Sequence, residues 1–282
     1  MRAAESPTHT PKGPTMYEFP VTGAIEAEFR LADGRIETTT PAGLTTATVT
    51  VEPMDGSEAS REAAERTTVE MHDKRLTVKA PDIGTTGWLR GRRSAKIVVT
   101  VALPADSRVE VRSASADATL YGTYRDVSIH TASGDAFVQN VTGDLTANAA
   151  SGDIKAGHVG GDMKVNSASG DLVAKQVDGT IVVHTASGDV HIEEVGRGAK
   201  ANTASGDITI IKLVRGNARI NSASGDIEIG VGVGTGVYMD ISSMSGRARS
   251  DLDTSHTPVS SADPDVTLHV RSMSGDITVK RS

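Results

Sequence analysis

The chain has 282 residues, a formal net charge of −7 and no cysteine, and only 3% of it is aromatic although 37% is hydrophobic. The missing cysteines exclude disulfides and thiolate metal sites, and an acidic chain without a block of like charges is a poor partner for nucleic acid or an anionic membrane. So few rings also argue against an ordinary large globular core, which leans on Phe, Tyr and Trp for buried area. The remaining Val, Ile, Leu and Ala suit a thin interior of the kind found in repeat proteins, where each unit packs on its neighbours.

Residues 1–15 are polar and Pro-rich and read as a disordered tail, with Met16 an alternative start to Met1. No apolar run resembles a signal peptide or approaches the roughly 18 residues of a membrane span, so a soluble, cytoplasmic protein is expected. Residues 16–110 read as a β-rich cap or lead-in region, with strand-like runs at 24–31, 45–52, 67–71, 75–79, 96–103 and 108–112. One short helix is expected at 57–66, with Ser57 as N-cap and Glu58 in its first turn. The segment GTTGWLRGRR at 84–93 reads as a basic surface loop holding the one Trp.

From residue 111 onward a tandem repeat takes over. SASAD at 113–117, TASGD at 131–135, AASGD at 149–153, SASGD at 167–171, and TASGD at 185–189 and 203–207 each begin 18 residues after the last. SASGD at 222–226 follows after 19, SMSGR at 243–247 after 21 and SMSGD at 272–276 after 29. A second turn signal lies nine residues on from the first, as TGD 142–144, GGD 160–162, DGT 178–180 and GRG 196–198. Between turns apolar residues alternate: Ile154/Ala156, Leu172/Ala174, Val190/Ile192 and Ile208/Ile210 on one half, Leu145/Ala147, Met163/Val165 and Ile181/Val183 on the other. Period two means strands with one buried face, and residues such as Lys155, Lys164, Glu193 and Lys200 then point to water.

The two halves of each unit differ, so equivalent columns recur at 18 residues and not at nine. Stacking like on like gives an all-β, single-stranded β-solenoid, a parallel β-helix with two strands per coil. A triangular hexapeptide helix would put Asn148, Asn166 and Asn202 in the core, which disfavours it. Residues 111–282 thus form the repeat domain, with an irregular coil and inserted loop at 243–271. A final strand ending in Lys280 and Arg281 would blunt a free edge.

The repeat turns are the candidate site residues: Ser133-Gly134-Asp135, Ser151-Gly152-Asp153, Ser169-Gly170-Asp171, Ser187-Gly188-Asp189, Ser205-Gly206-Asp207, Ser224-Gly225-Asp226 and Ser274-Gly275-Asp276. Their expected role is structural, Gly supplying unusual backbone angles and Asp closing its turn on Ser or backbone donors. Stacked carboxylates also suggest a cation ladder, but calcium-binding nonapeptide rolls need G-G-x-G-x-D, which no turn supplies. His130 and His184 share a column three coils apart, while His158 and His191 lie in other columns, so no zinc site is expected. A Ser present in every repeat is structural, and neither a G-x-S-x-G elbow nor a P-loop occurs. No catalytic residue, cofactor or metal is therefore expected.

The S-A-S-G-D repeats, each followed by an alternating strand, resemble the bacterial "putative adhesin" family of β-strand repeats. The resemblance covers about residues 16–282 and is strongest over 113–280. It implies a β-helical, non-catalytic interaction surface and supplies no catalytic residues. The expected function is a binding or scaffold module with protein partners. Self-assembly similar in concept to bactofilin filaments is one alternative, and an enzyme with a site grafted on loops 84–93 or 254–265 is another.

Overall fold

The computed structural model describes residues 15–81, 95–252 and 265–282. The expected basic loop at 84–93, the tail before residue 15 and all but the last residue of the loop at 254–265 lie outside the described residues.

In chain order the first elements are β1 (Thr15–Pro20), β2 (Glu26–Leu31), β3 (Gly34–Thr39), β4 (Thr46–Pro53), α1 (Glu58–Arg66), β5 (Thr68–His72), β6 (Arg75–Lys79), β7 (Ile97–Ala102) and β8 (Ser107–Ser113). Then come β9 (Asp117–Thr131), β10 (Ala136–Val141), β11 (Leu145–Ala149), β12 (Ile154–Val159), β13 (Met163–Ser169), β14 (Leu172–Val177), β15 (Thr180–Ser187) and β16 (Val190–Val195). The last are β17 (Gly198–Ser205), β18 (Ile208–Leu213), β19 (Gly216–Ser224), β20 (Ile227–Val231), β21 (Val237–Ser243), β22 (Ala248–Ser250), β23 (Val266–Ser274) and β24 (Ile277–Arg281).

The repeat winds as a parallel β-solenoid with two faces. Strands β10, β12, β14, β16, β18 and β20 pair in parallel as one face. Strands β11, β13, β15, β17 and β19 form the other, and β9 runs through both. Ile154 opposes Leu172, which opposes Val190, so each residue meets its own counterpart in the next coil. The alternating aliphatics point inward: Leu172, Ala174, Ile181 and Val183 are all buried. A further column that alternation does not reveal joins them at the corner, where Val141, Val159, Val177, Val195, Leu213 and Val231 are fully buried.

Both ends of the stack are built out of chain order. Strand β23 pairs with β19 on one side and β21 on the other, and β24 likewise lies between β20 and β22. The last coil in the sequence is therefore the second coil in space. Strand β24 is internal, which corrects the expectation that Lys280 and Arg281 guard a free edge: among the described residues the outer strands are β21 and β22. At the other end β2 inserts between β6 and β8, and β3 between β7 and β9. The N-terminal region thus contributes two coils to the same stack, and antiparallel β5, β4 and β1 then extend its edge.

Helix α1 begins where its sequence says. The Ser57 hydroxyl accepts the Ser60 N–H at 3.1 Å, satisfying one of the free donors of the first turn. Its buried residues Ser60, Ala63 and Ala64 cover the end of the stack, and the Ser60 hydroxyl accepts the Lys96 N–H at 3.0 Å.

Candidate functional site

The Ser-Gly-Asp corners form a ladder that joins coil to coil. The N–H of Asp153 donates to Oδ1 of Asp135 at 2.9 Å, Asp171 to Asp153, Asp189 to Asp171 and Asp207 to Asp189 at the same distance. Asp226 and Asp276 continue the series at 2.8 Å, and Asp135 begins it on Asp117 at 3.1 Å. In return the carbonyl of each Asp accepts the N–H that follows the preceding Asp, as in Leu172 to Asp189 at 2.9 Å. The carboxylates therefore bond a backbone amide of the neighbouring coil, not their own turn. Each such charge-assisted bond offsets the repulsion of stacked like charges. A shorter ladder on the opposite corner runs from Thr180 through Asp162 and Asp144 to Asp126.

Gly at these corners is required by the next coil's backbone. At Gly188 φ is +130°, and a Cβ would stand 2.3 Å from the Gly170 carbonyl oxygen. The residue that opens the motif bonds across the turn in three coils, Thr185 to the Ser187 carbonyl at 3.1 Å, Thr203 to that of Ser205 at 2.9 Å and Ser222 to that of Ser224 at 3.0 Å. Among the described residues the buried Ser167 and Ser272 hydroxyls, by contrast, have no hydrogen-bond partner. The second serines, Ser133, Ser151, Ser169, Ser187, Ser205, Ser224 and Ser274, are exposed in a row along the corner.

On the outer face of β9 to β19 runs one polar column: His130, Asn148, Asn166, His184, Asn202 and Asn221. Asn166 Nδ2 donates to Asn148 Oδ1 at 2.8 Å, and Asn148 Nδ2 lies 3.3 Å from His130 Nδ1. Asn221 and Asn202 repeat the arrangement against His184. On the other face His158 bridges Asn140 Oδ1 at 3.1 Å and Asp178 Oδ2 at 2.9 Å. The hydrogen bond from His158, seconded by Gln176, holds the Asp178 carboxyl below the ordinary range.

Sequence reasoning missed the feature around β9. Tyr121 is half exposed and packs against Phe137, ring centroids 5.5 Å apart and tilted by 54°. They border an open trough of about 560 Å³ whose charged groups are Arg35, Glu37, Asp117, Asp135, Asp153 and Lys155. The signal was present, since Phe137 takes an outward position of an alternating strand. Beneath it Tyr124 is fully buried, and burial pushes its phenol up to about 12. Among the described residues no three His, Asp or Glu side chains are grouped to hold a metal ion, and no helix is long and apolar enough to cross a membrane.

Two unlike faces, stacked in register and interlocked at the corners by carboxylates, define a parallel β-solenoid. The chain belongs to the Toastrack DUF4097 family, whose model matches residues 43–280. That is the family of adhesin-like repeats to which the sequence pointed. Among solved structures, a "putative lipid binding protein" from Parabacteroides distasonis superposes with a TM-score of 0.56 at 16% identity, covering 94% of this chain and 96% of that one. A "putative adhesin" from Bacteroides fragilis does so with a TM-score of 0.50 at 13% identity, covering 96% and 98%. At these identities the likeness is one of fold. None of the curated proteins matches the chain.

Proposed function

We propose that the chain is a non-enzymatic binding module that docks protein partners along the outer faces of its solenoid. The observation that carries this reading is the polar column from His130 to Asn221, held by side-chain bonds between coils. Side chains fixed in this way lose little freedom on binding, so less of the contact energy is spent on ordering them. The names of the two solved structures, a "putative adhesin" and a "putative lipid binding protein", both denote binding roles. Catalysis has no support in the repeated serines, which recur in the same setting from coil to coil. The cytoplasm, expected from the sequence, belongs to the proposal and is checked by cell fractionation. In a pull-down with the full chain, we expect a partner that is lost when Asn148 and Asn166 are replaced by Lys. Recovery of no partner from a strictly monomeric protein overturns the reading.

Self-assembly has one observation in its favour. Among the described residues β21 and β22 have no strand on their outer side, and Val233, Tyr238 and Met244 on that coil are exposed. An unpaired edge with apolar neighbours is a template for pairing. Sedimentation at rising concentration tests this, and a constant monomer mass removes it.

A further inference from the structure

We propose that the trough beside Tyr121 and Phe137 is a saccharide-binding site for neutral or amino sugars, an inference that rests on the binding-module reading and names its ligand. The coil of β9 breaks the repeat at three linked points. First, the buried corner column that carries Val or Leu in the following coils carries Tyr124 here. Second, β9 holds one residue more than β10 between Leu120 and Thr123, where β10 runs from Val138 to Asn140. Third, that bulge turns Tyr121 outward onto Phe137. Bulges of this kind re-aim side chains beside functional sites.

The bulge is held from all sides. The Tyr124 hydroxyl donates to the Tyr121 carbonyl at 2.8 Å and lies 2.6 Å from Thr38 Oγ1. The Gly122 N–H reaches Gln139 Oε1 at 2.7 Å, and the Thr123 N–H reaches Thr40 Oγ1 at 2.8 Å. Gly122 is itself required, with φ at +111° and a Cβ that would stand 2.0 Å from Thr40 Oγ1. Four side chains from three segments are thus spent on fixing one exposed ring. In a chain with four Tyr, three Phe and one Trp, two rings meeting at the surface stand out.

The chemistry fits a sugar ring. A pyranose offers an apolar face of C–H groups, which stacks on aromatic rings, and a rim of hydroxyls that both donate and accept. The trough supplies donors from Arg35 and Lys155 and acceptors from Glu37, Asp117, Asp135 and Asp153. The backbone amides occupy only Oδ1 of Asp117, Asp135 and Asp153, and an ionised carboxylate has room for further donors. Four carboxylates against two cations disfavour uronic or sialic acids and tolerate an amine. The trough volume lies in the range of small-molecule sites. Tyr124 acts as a positioning residue, through the Tyr121 carbonyl.

The test titrates the full chain with the tetramers of N-acetylglucosamine, glucosamine and galacturonic acid, and with tetramethylammonium, while the ring resonances of Tyr121 and Phe137 are followed. The neutral and amino tetramers should shift both rings and the acidic one should not. Tyr121→Ala should weaken binding about tenfold, the value of one ring contact, with an unchanged melting temperature. Tyr124→Phe should weaken binding and move the Tyr121 resonances of the free protein, whereas Lys200→Ala on the far face should change nothing. The inference is overturned if no tetramer shifts the rings at about 10 mM, if Tyr121→Ala binds like the parent, or if tetramethylammonium competes as strongly as the sugars. A protein partner still captured while every sugar fails would sink the saccharide site and leave the binding module standing; failure of both would sink both.

Discussion

A side chain at Gly188 has nowhere to go. Its Cβ would meet the Gly170 carbonyl, and Gly206 stands in the same relation to Gly188. Gly188→Ala should therefore cost about 1–3 kcal/mol through strain and coil separation, read as a lowered denaturant midpoint. Ser187→Ala, one residue away and exposed, should stay within about 0.5 kcal/mol. The need for Gly was legible in its recurrence, but its cause was only partly so. Gly188 has a left-handed φ, whereas no such φ marks Gly152, where the demand is contact alone, 2.0 Å to the Gly134 oxygen. The Asp ladder was readable as turn chemistry, yet its donors come from the next coil, a relation that no single turn contains. Tyr124 yields a pH prediction. Burial raises its pKa from the ordinary phenol value of about 10 to about 12, so the folded state favours the neutral phenol. The corresponding stability is complete below about pH 10 and is lost as pH rises through about 12, on the order of 3 kcal/mol. Tyr124→Phe should lack that part of the alkaline decline when stability is measured across this window.

At the scale of one coil, the interior consists of Val190, Ile192, Val195, Ala199 and Ala201, all buried. Ile192→Ala should cost about 2–5 kcal/mol, visible in equilibrium unfolding, because coils above and below hold the gap open. Alternation revealed Val190 and Ile192 but not Val195. Two successive residues, Glu193 and Glu194, turn outward before the corner, and the period of two fails there. Helix α1 was fully legible, since its cap and first-turn charge are local signals. Strand β3 was not, because GRIETT becomes a strand only by lying between β7 and β9. The exposed ring at Tyr121 was hidden for a similar reason: a bulge is a mismatch with a neighbour and cannot be seen in one segment alone.

For the whole molecule, pairing order at the ends was beyond the sequence. Gly216 meets Val266 and Val237 meets Val266, and offsets this irregular leave no spacing to count. Removing residues 265–282 should therefore strip β21 and β22 of β23 and β24, their strand partners among the described residues. Limited proteolysis of that truncated chain should cut within 237–250 while sparing 117–231, and equal protection of both segments would contradict the coil order.

The out-of-order ends also bear on how such a rod can change its length. Each end of the stack holds a coil inserted out of chain order, β24 between β20 and β22 and β3 between β7 and β9, so appending a repeat at a chain terminus does not simply extend the rod. The middle is a different matter. Excising residues 172–189 would bring Asp171 onto Val190, a junction chemically the same as the one Asp189 already makes, with the carboxylate ladder and corner glycines still in step. The molecule would be shorter by about 4.8 Å, with its corners still in step but without Asp178 and His184 and the bonds they make to His158 and Asn202. Duplicating the same cassette would lengthen it by the same increment. Evolution in this architecture can thus set the distance between two fixed ends by copying or dropping whole modules, like notches on a gauge, without redesigning either terminus.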